Sequence, residues 1–194
     1  MRIALYTGLA IGVTVLTVAT PLAIAPLTAQ TRVNPDAQVL ADFNNRVKGY
    51  LALRDKVDGA APPLQQTKDP AKIEAAQKTL AAVIRNARTG AKPGDIFAPE
   101  IEKKFRALLG PEVKGAAGAQ AKAEILDEKP MVELKVNSEY PSKEPLSTVP
   151  PTVLQALPPL PKDAGLEYRF VRKHMILLDT RANLIIDFLL NASP

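Results

Sequence analysis

Apolar residues recur first at helical spacing and then, late in the chain, at every second position. Val39, Phe43, Val47, Tyr50 and Val57 share one helical face, with Leu40, Leu51 and Leu53 beside it. Asn34-Pro35-Asp36 supplies an N-cap and a proline at the first helical position, and Gly59 followed by Pro62-Pro63 closes the segment. A second helix opens in the same way at Asp69-Pro70. It carries Ile73, Ala76, Leu80, Val83, Ile84 and Ala87, and stops at Gly90. Pro99 starts a third, shorter helix with Ile101, Phe105, Leu108 and Leu109, ending at Gly110-Pro111. Amphipathic helices of this length are marginal alone, so they must pack on one another or on a sheet.

Beyond residue 130 the period becomes two. Val132, Leu134 and Val136 alternate with Glu133 and Lys135, which predicts a half-buried strand. Residues 141–161 hold seven prolines and read as an extended wrap with one helical turn near residues 153–157. Three strands follow. The first carries Leu166, Tyr168 and Phe170, the second runs over residues 174–179, and the third runs over residues 183–190. In the third, Leu184, Ile186 and Phe188 share a face. The short connections at Arg172-Lys173 and Thr180-Arg181-Ala182 suit hairpins, so the sheet should be an antiparallel meander. The fold class is therefore α+β. Two long helices and one short one pack with a small C-terminal antiparallel sheet of three or four strands through a Pro-rich connection.

The N-terminus carries a different signal. Met1-Arg2 precedes a largely apolar stretch over residues 3–18, Pro21 and Pro26 follow, and no further charge appears until Arg32. That order predicts a secretory signal peptide over residues 1–29, cut after Ala29. The charge-free run is also long enough for an uncleaved anchor, and the two readings stay open. A helical region over 30–114, a linker over 115–130 and a unit over 131–194 complete the expected organisation. The last of these holds the Pro-rich segment and the β-meander.

Composition removes chemistry rather than supplying it. The 194 residues include no Cys and one His, with 25 basic and 20 acidic side chains. Disulfides, thiolate nucleophiles and Cys-ligated metals are excluded, and a single His makes a His-based zinc enzyme improbable. No cofactor is implied. Residues 30–114 hold 15 basic and 10 acidic side chains, whereas residues 115–194 hold 9 and 10, so the positive charge belongs to the helices. A solvated helix face explains that charge, and a patch for anionic lipid, glycan or cell-wall polymer is the functional alternative. Nucleic acid is disfavoured, because neither interleaved aromatics nor a binding motif is present. Membrane contact is expected only through an uncleaved leader.

Two stretches resemble known families. Ala82-Val83-Ile84-Arg85-Asn86-Ala87-Arg88, Gly94-Asp95-Ile96-Phe97-Ala98-Pro99-Glu100 and Phe105-Arg106-Ala107-Leu108-Leu109 resemble the helical block of a family of uncharacterised exported bacterial proteins. Val149-Pro150-Pro151-Thr152-Val153-Leu154, Leu166-Glu167-Tyr168-Arg169-Phe170-Val171 and Ala182-Asn183-Leu184-Ile185-Ile186-Asp187-Phe188 are similar to its C-terminal stretch. The resemblance implies an envelope-compartment protein and names no activity. One departure is Arg172-Lys173, where that pattern would place a Gly in the hairpin turn. The Pro-rich lead-in and three strands are also similar to the β-module of RcnB-like periplasmic proteins, which implies a link to nickel and cobalt homeostasis only if ligands are present.

Candidate sites are few. His174, Met175 and Asp179 bring imidazole, thioether and carboxylate close in sequence, but 174 and 179 fall on opposite faces of a strand, and no metal site is expected. A solvated histidine at a hairpin end is the simpler reading. Glu100 and Glu102 lie too close on one helix start to straddle a sugar, and Asp95 reads as turn or capping chemistry. Arg54 falls inside the apolar arc of the first helix, and Arg85, Arg88 and Arg106 lie beside apolar positions of the other two. Such arginines fix helix packing through ion pairs, with Asp58 the nearest partner for Arg54, or they form an anion pocket. Pro150, Pro151, Pro158, Pro159 and Pro161 either wrap the domain or dock a partner. The expected function is that of an exported envelope protein that binds or packs without catalysis. Its partner would be an envelope protein or an anionic wall or lipid component. The alternatives are a periplasmic metal-homeostasis accessory protein and a carboxylate-based cell-wall hydrolase.

Overall fold

The computed structural model describes residues 34–59, 68–114, 133–140, 151–171 and 173–192. These belong to one compact unit that begins at Val33. The expected signal peptide, Pro62-Pro63, the 115–130 linker, Val132, Pro150 and Arg172 lie outside the described residues. No helix among the described residues is long and apolar enough to cross a membrane.

Among the described residues, three long helices, one six-residue helix and a three-stranded antiparallel sheet make an α+β fold. The first two helices, α1 (Pro35–Asp58) and α2 (Pro70–Ala87), start as the sequence predicts. The Asn34 side chain accepts from the Asp36 amide at 3.0 Å, and the Asp69 side chain accepts from the Ala71 amide at 3.0 Å. α2 ends at Ala87, three residues before Gly90.

The third helix, α3 (Pro99–Lys114), corrects an expectation. At 16 residues against 18 for α2, it is nearly as long, and it continues through Gly110-Pro111. Proline already holds a helical φ, so the chain continues through Pro111 in the last turn, although its ring removes one hydrogen bond and crowds the carbonyl four residues back. A six-residue α4 (Pro151–Ala156) then packs on α3, at the helical turn expected inside the Pro-rich wrap.

The sheet runs β1 (Leu166–Val171), β2 (His174–Asp179), β3 (Leu184–Leu189), in that spatial order. The strand expected over residues 132–136 is not formed in its described part, residues 133–136. Asn137 takes a left-handed φ of 63° and turns the chain, and only then does it meet the sheet. The Asn137 amide donates to the Ile185 carbonyl at 2.8 Å, and the Ile185 amide donates to the Ser138 carbonyl at 2.9 Å. Residues 137–140 therefore border β3 through a single antiparallel bridge, Glu139 to Leu184.

The register of β3 matters most. Leu177 opposes Asp187 and Leu178 opposes Ile185, so Ile186 is an extra residue in a β-bulge. A bulge resets the two-residue alternation. Leu184, Ile186 and Leu189 join the helix-facing core, whereas Ile185 packs in the cluster on the reverse side and Phe188 lies against it. The expected shared face of Leu184, Ile186 and Phe188 is broken there. The same reset turns Asp187 toward the helices.

The main core lies between sheet and helices. α1 contributes Phe43, Val47 and Tyr50, α2 Leu80 and Ile84, and α3 Ile101, Phe105 and Leu109. Phe43 and Phe105 have ring centroids 5.0 Å apart, and Phe97 meets Phe105 edge-on at 5.3 Å. A smaller cluster of Tyr140, Val171, Ile176, Leu178 and Ile185 sits on the opposite side of the sheet.

Candidate functional site

Two carboxylates lie wholly inside the protein. Asp179 and Asp187 are both 0% exposed, and Arg54 is 3% exposed. Burying a charge is expensive unless every lone pair and proton finds a partner. The surroundings of each group show how far that demand is met.

Asp179 closes β2. Its Oδ2 accepts from the Tyr50 hydroxyl at 2.7 Å and from Arg54 Nη1 at 3.1 Å. Its Oδ1 accepts from the amides of Arg181 and Ala182 at 2.9 and 3.1 Å, which shapes the turn into β3. Arg54 Nη1 also donates to the Ala164 carbonyl at 2.6 Å, while Arg54 Nε has no hydrogen-bond partner among the described residues. The Arg54–Asp179 pair thus ties α1, the entry to β1 and the β2–β3 turn together. Burial, then the adjacent Asp179 charge, drives the Tyr50 phenol well above its ordinary range, so the hydroxyl stays a donor. Burial raises Tyr168 likewise.

Among the described residues, the hydrogen bonds to Asp187 all come from backbone amides. Gly94 and Phe188 donate to Oδ1 at 3.0 and 2.9 Å; Ile96 and Phe97 donate to Oδ2 at 2.8 and 2.9 Å. Gly94 holds a φ of 89°, a conformation that glycine adopts without strain and that turns its amide inward. This contact seats the 94–97 loop, which leads into α3, against β3.

The four arginines singled out in the sequence all reach to the C-terminal half. Arg54 meets Asp179 as described. Arg85 donates to the Asn137 carbonyl at 2.9 Å and pairs with Glu139 at 3.1 Å. Arg88 donates to Asn137 Oδ1 at 2.8 Å and to the Ile186 carbonyl at 3.3 Å, and its guanidinium lies 5.2 Å from the Tyr50 ring centroid. Asn137 replies through Nδ2 to the Arg88 carbonyl at 3.0 Å. Arg106 pairs with Glu102 and donates to the carbonyls of Leu190 and Asn191. Arg85 and Arg88 come together at Asn137, whereas Arg54 and Arg106 bind at separate places. Burial pulls the Arg88 guanidinium below its ordinary range, against the opposing pull of Tyr50, Asp95 and Asp187.

Other candidates take defined roles. Asp58 pairs with Arg181 instead of Arg54. Asp95 accepts from the Lys92 amide at 3.0 Å, the turn chemistry expected of it. His174 is not a solvated hairpin end. It is 4% exposed, and its Nδ1 accepts from the Asn191 amide at 2.9 Å, because the antiparallel pairing of Met175 with Leu189 carries the chain after β3 past the start of β2. Pro158 is buried and its carbonyl accepts from the Tyr168 hydroxyl at 3.0 Å, while Pro151, Pro159 and Pro161 are exposed. Among the described residues no group of three His, Asp or Glu side chains is placed to hold a metal ion.

Sequence reasoning missed Asp187 and the true partner of Arg54. An isolated carboxylate within Leu184-Ile185-Ile186-Asp187-Phe188-Leu189 was the available signal, but strict alternation assigned it to the face away from the helices. Comparison of the chain with protein-family models, curated proteins and solved structures gives no match to any of them.

Proposed function

We propose that this is a non-catalytic exported protein of the cell envelope that acts by offering a rigid exterior to another envelope macromolecule. One observation carries the reading. The groups with chemical potential that the fold gathers, Asp179, Asp187, Arg54 and His174, are all buried and engaged in contacts that hold the layers together. A general acid, base or nucleophile must reach a substrate atom, and these side chains face protein donors and acceptors instead. The leader-like N-terminus and the family resemblance support an envelope location.

The test has two arms. The full chain is expressed in a bacterial host with photo-crosslinking residues placed one at a time on the exposed faces of α1 and α2, and adducts are identified from the envelope fraction. A single partner crosslinked from neighbouring positions, and lost on competition with unlabelled protein, is the expected result. In parallel, the protein is incubated with purified cell-wall sacculi. Release of soluble glycan fragments above that of a heat-denatured control would overturn the non-catalytic reading.

A further inference from the structure

The 94–97 loop presents its amides as a small concave receptor. Gly94, Ile96 and Phe97 direct three N–H groups at one carboxylate, and the Phe188 amide adds a fourth from the strand itself. Although the intervening Asp95 amide donates to the Lys92 carbonyl, inward-facing amides around a left-handed glycine form an anion-binding concavity, of the kind seen where backbones cradle phosphate or carboxylate. The occupant here is Asp187, fully buried. None of the ion pairs among the described residues includes it. Its hydrogen bonds therefore come from backbone amides, and the Arg88 guanidinium adds a favourable charge interaction without a direct ion pair. Without an anion, the buried amides of Ile96 and Phe97 and the part-buried amide of Gly94 would be left unpaired, an arrangement that is costly to maintain.

We propose that the 94–97 loop is a carboxylate receptor filled in cis by Asp187, and that it accepts a small free carboxylate once that side chain is removed. Asp187→Gly deletes the equivalent of one acetate and leaves the four donors in place. Asp187→Asn keeps the shape, removes the charge and turns an NH2 group toward amides that also donate.

The experiment compares the full chain with these two variants by thermal and urea unfolding, in sodium acetate and in sodium chloride at equal ionic strength and neutral pH. Asp187→Gly should unfold about 5–10 °C below wild type in chloride. Acetate should raise its midpoint saturably, with the amide resonances of residues 94, 96 and 97 returning toward their wild-type positions. Asp187→Asn should also be destabilised and should not respond to acetate, because its site is occupied. Wild type should show no difference between the two salts. Equal behaviour of Asp187→Gly in acetate and chloride overturns the proposal, and so does a variant that stays unfolded in both. An Asp187→Asn protein as stable as wild type overturns it as well, because the loop would then need no anion.

Discussion

Arg54→Met removes one member of a buried pair while keeping most of the volume. In the native protein Arg54 and Asp179 have side-chain exposures of 4% and 0%, so solvent does little to screen them. Breaking a buried pair at one end typically costs 3–5 kcal/mol, because the remaining charge stays in a poorly solvating site. One feature places this case toward the lower end, and one opposes it. Asp179 keeps the Tyr50 hydroxyl and two backbone amides, so three of its four hydrogen bonds survive. The Ala164 carbonyl, however, loses its Arg54 donor. We expect about 3 kcal/mol, which for a chain of this size lowers the thermal midpoint by about 6–12 °C. Urea unfolding followed by far-ultraviolet circular dichroism measures it, with an unchanged m-value showing that compactness is preserved. Combination with Asp179→Asn completes a double-mutant cycle, and a coupling of about 2 kcal/mol is expected for groups in direct contact. An Arg54→Met protein within about 0.5 kcal/mol of wild type, or a coupling near zero, would refute the claim that this pair fastens α1 to the sheet.

Three further outcomes follow from the same contacts. Tyr50 and Tyr168 hold their protons more tightly folded than unfolded, so their contribution is complete below the unfolded phenol range near pH 10 and is lost as pH rises above it; stability should fall there by up to about 2.7 kcal/mol per pH unit for the pair. The Tyr50→Phe/Tyr168→Phe variant should show a visibly shallower alkaline slope in urea titrations from pH 9 to 12, and an identical slope would contradict the assignment. Gly165→Ala should destabilise by about 1–2 kcal/mol, because φ is 64° and the new Cβ would stand 2.8 Å from Arg181 Cγ; a neutral result by calorimetry would count against that turn geometry. Asn137→Gly retains the left-handed turn but loses both side-chain bonds to Arg88, and should cost about 1–2 kcal/mol in urea unfolding.

The local elements were largely legible in the chain. Asn34-Pro35 and Asp69-Pro70 mark helix starts because a short acceptor side chain and a proline satisfy requirements set within three residues. The face of α1 was readable for the same reason, since helical periodicity is a neighbour-to-neighbour property. Even Arg54 stood out, as a charge inside an apolar arc. Its partner did not, because Asp179 lies 125 residues away and the nearest carboxylate by helical spacing, Asp58, turns instead to Arg181.

Sequence by itself therefore determined the α+β class, the helix starts, the three C-terminal strands and the exclusion of cysteine chemistry. Tertiary structure alone decided which polar groups became internal. A one-residue bulge at Ile186 carried Asp187 from the reverse face to the helix side, where the 94–97 amides meet it. A left-handed Asn137 turned the chain where a strand was expected and brought its side chain to Arg88. Both events depend on register between distant segments, and register is set by the packing of whole layers, which no local periodicity encodes.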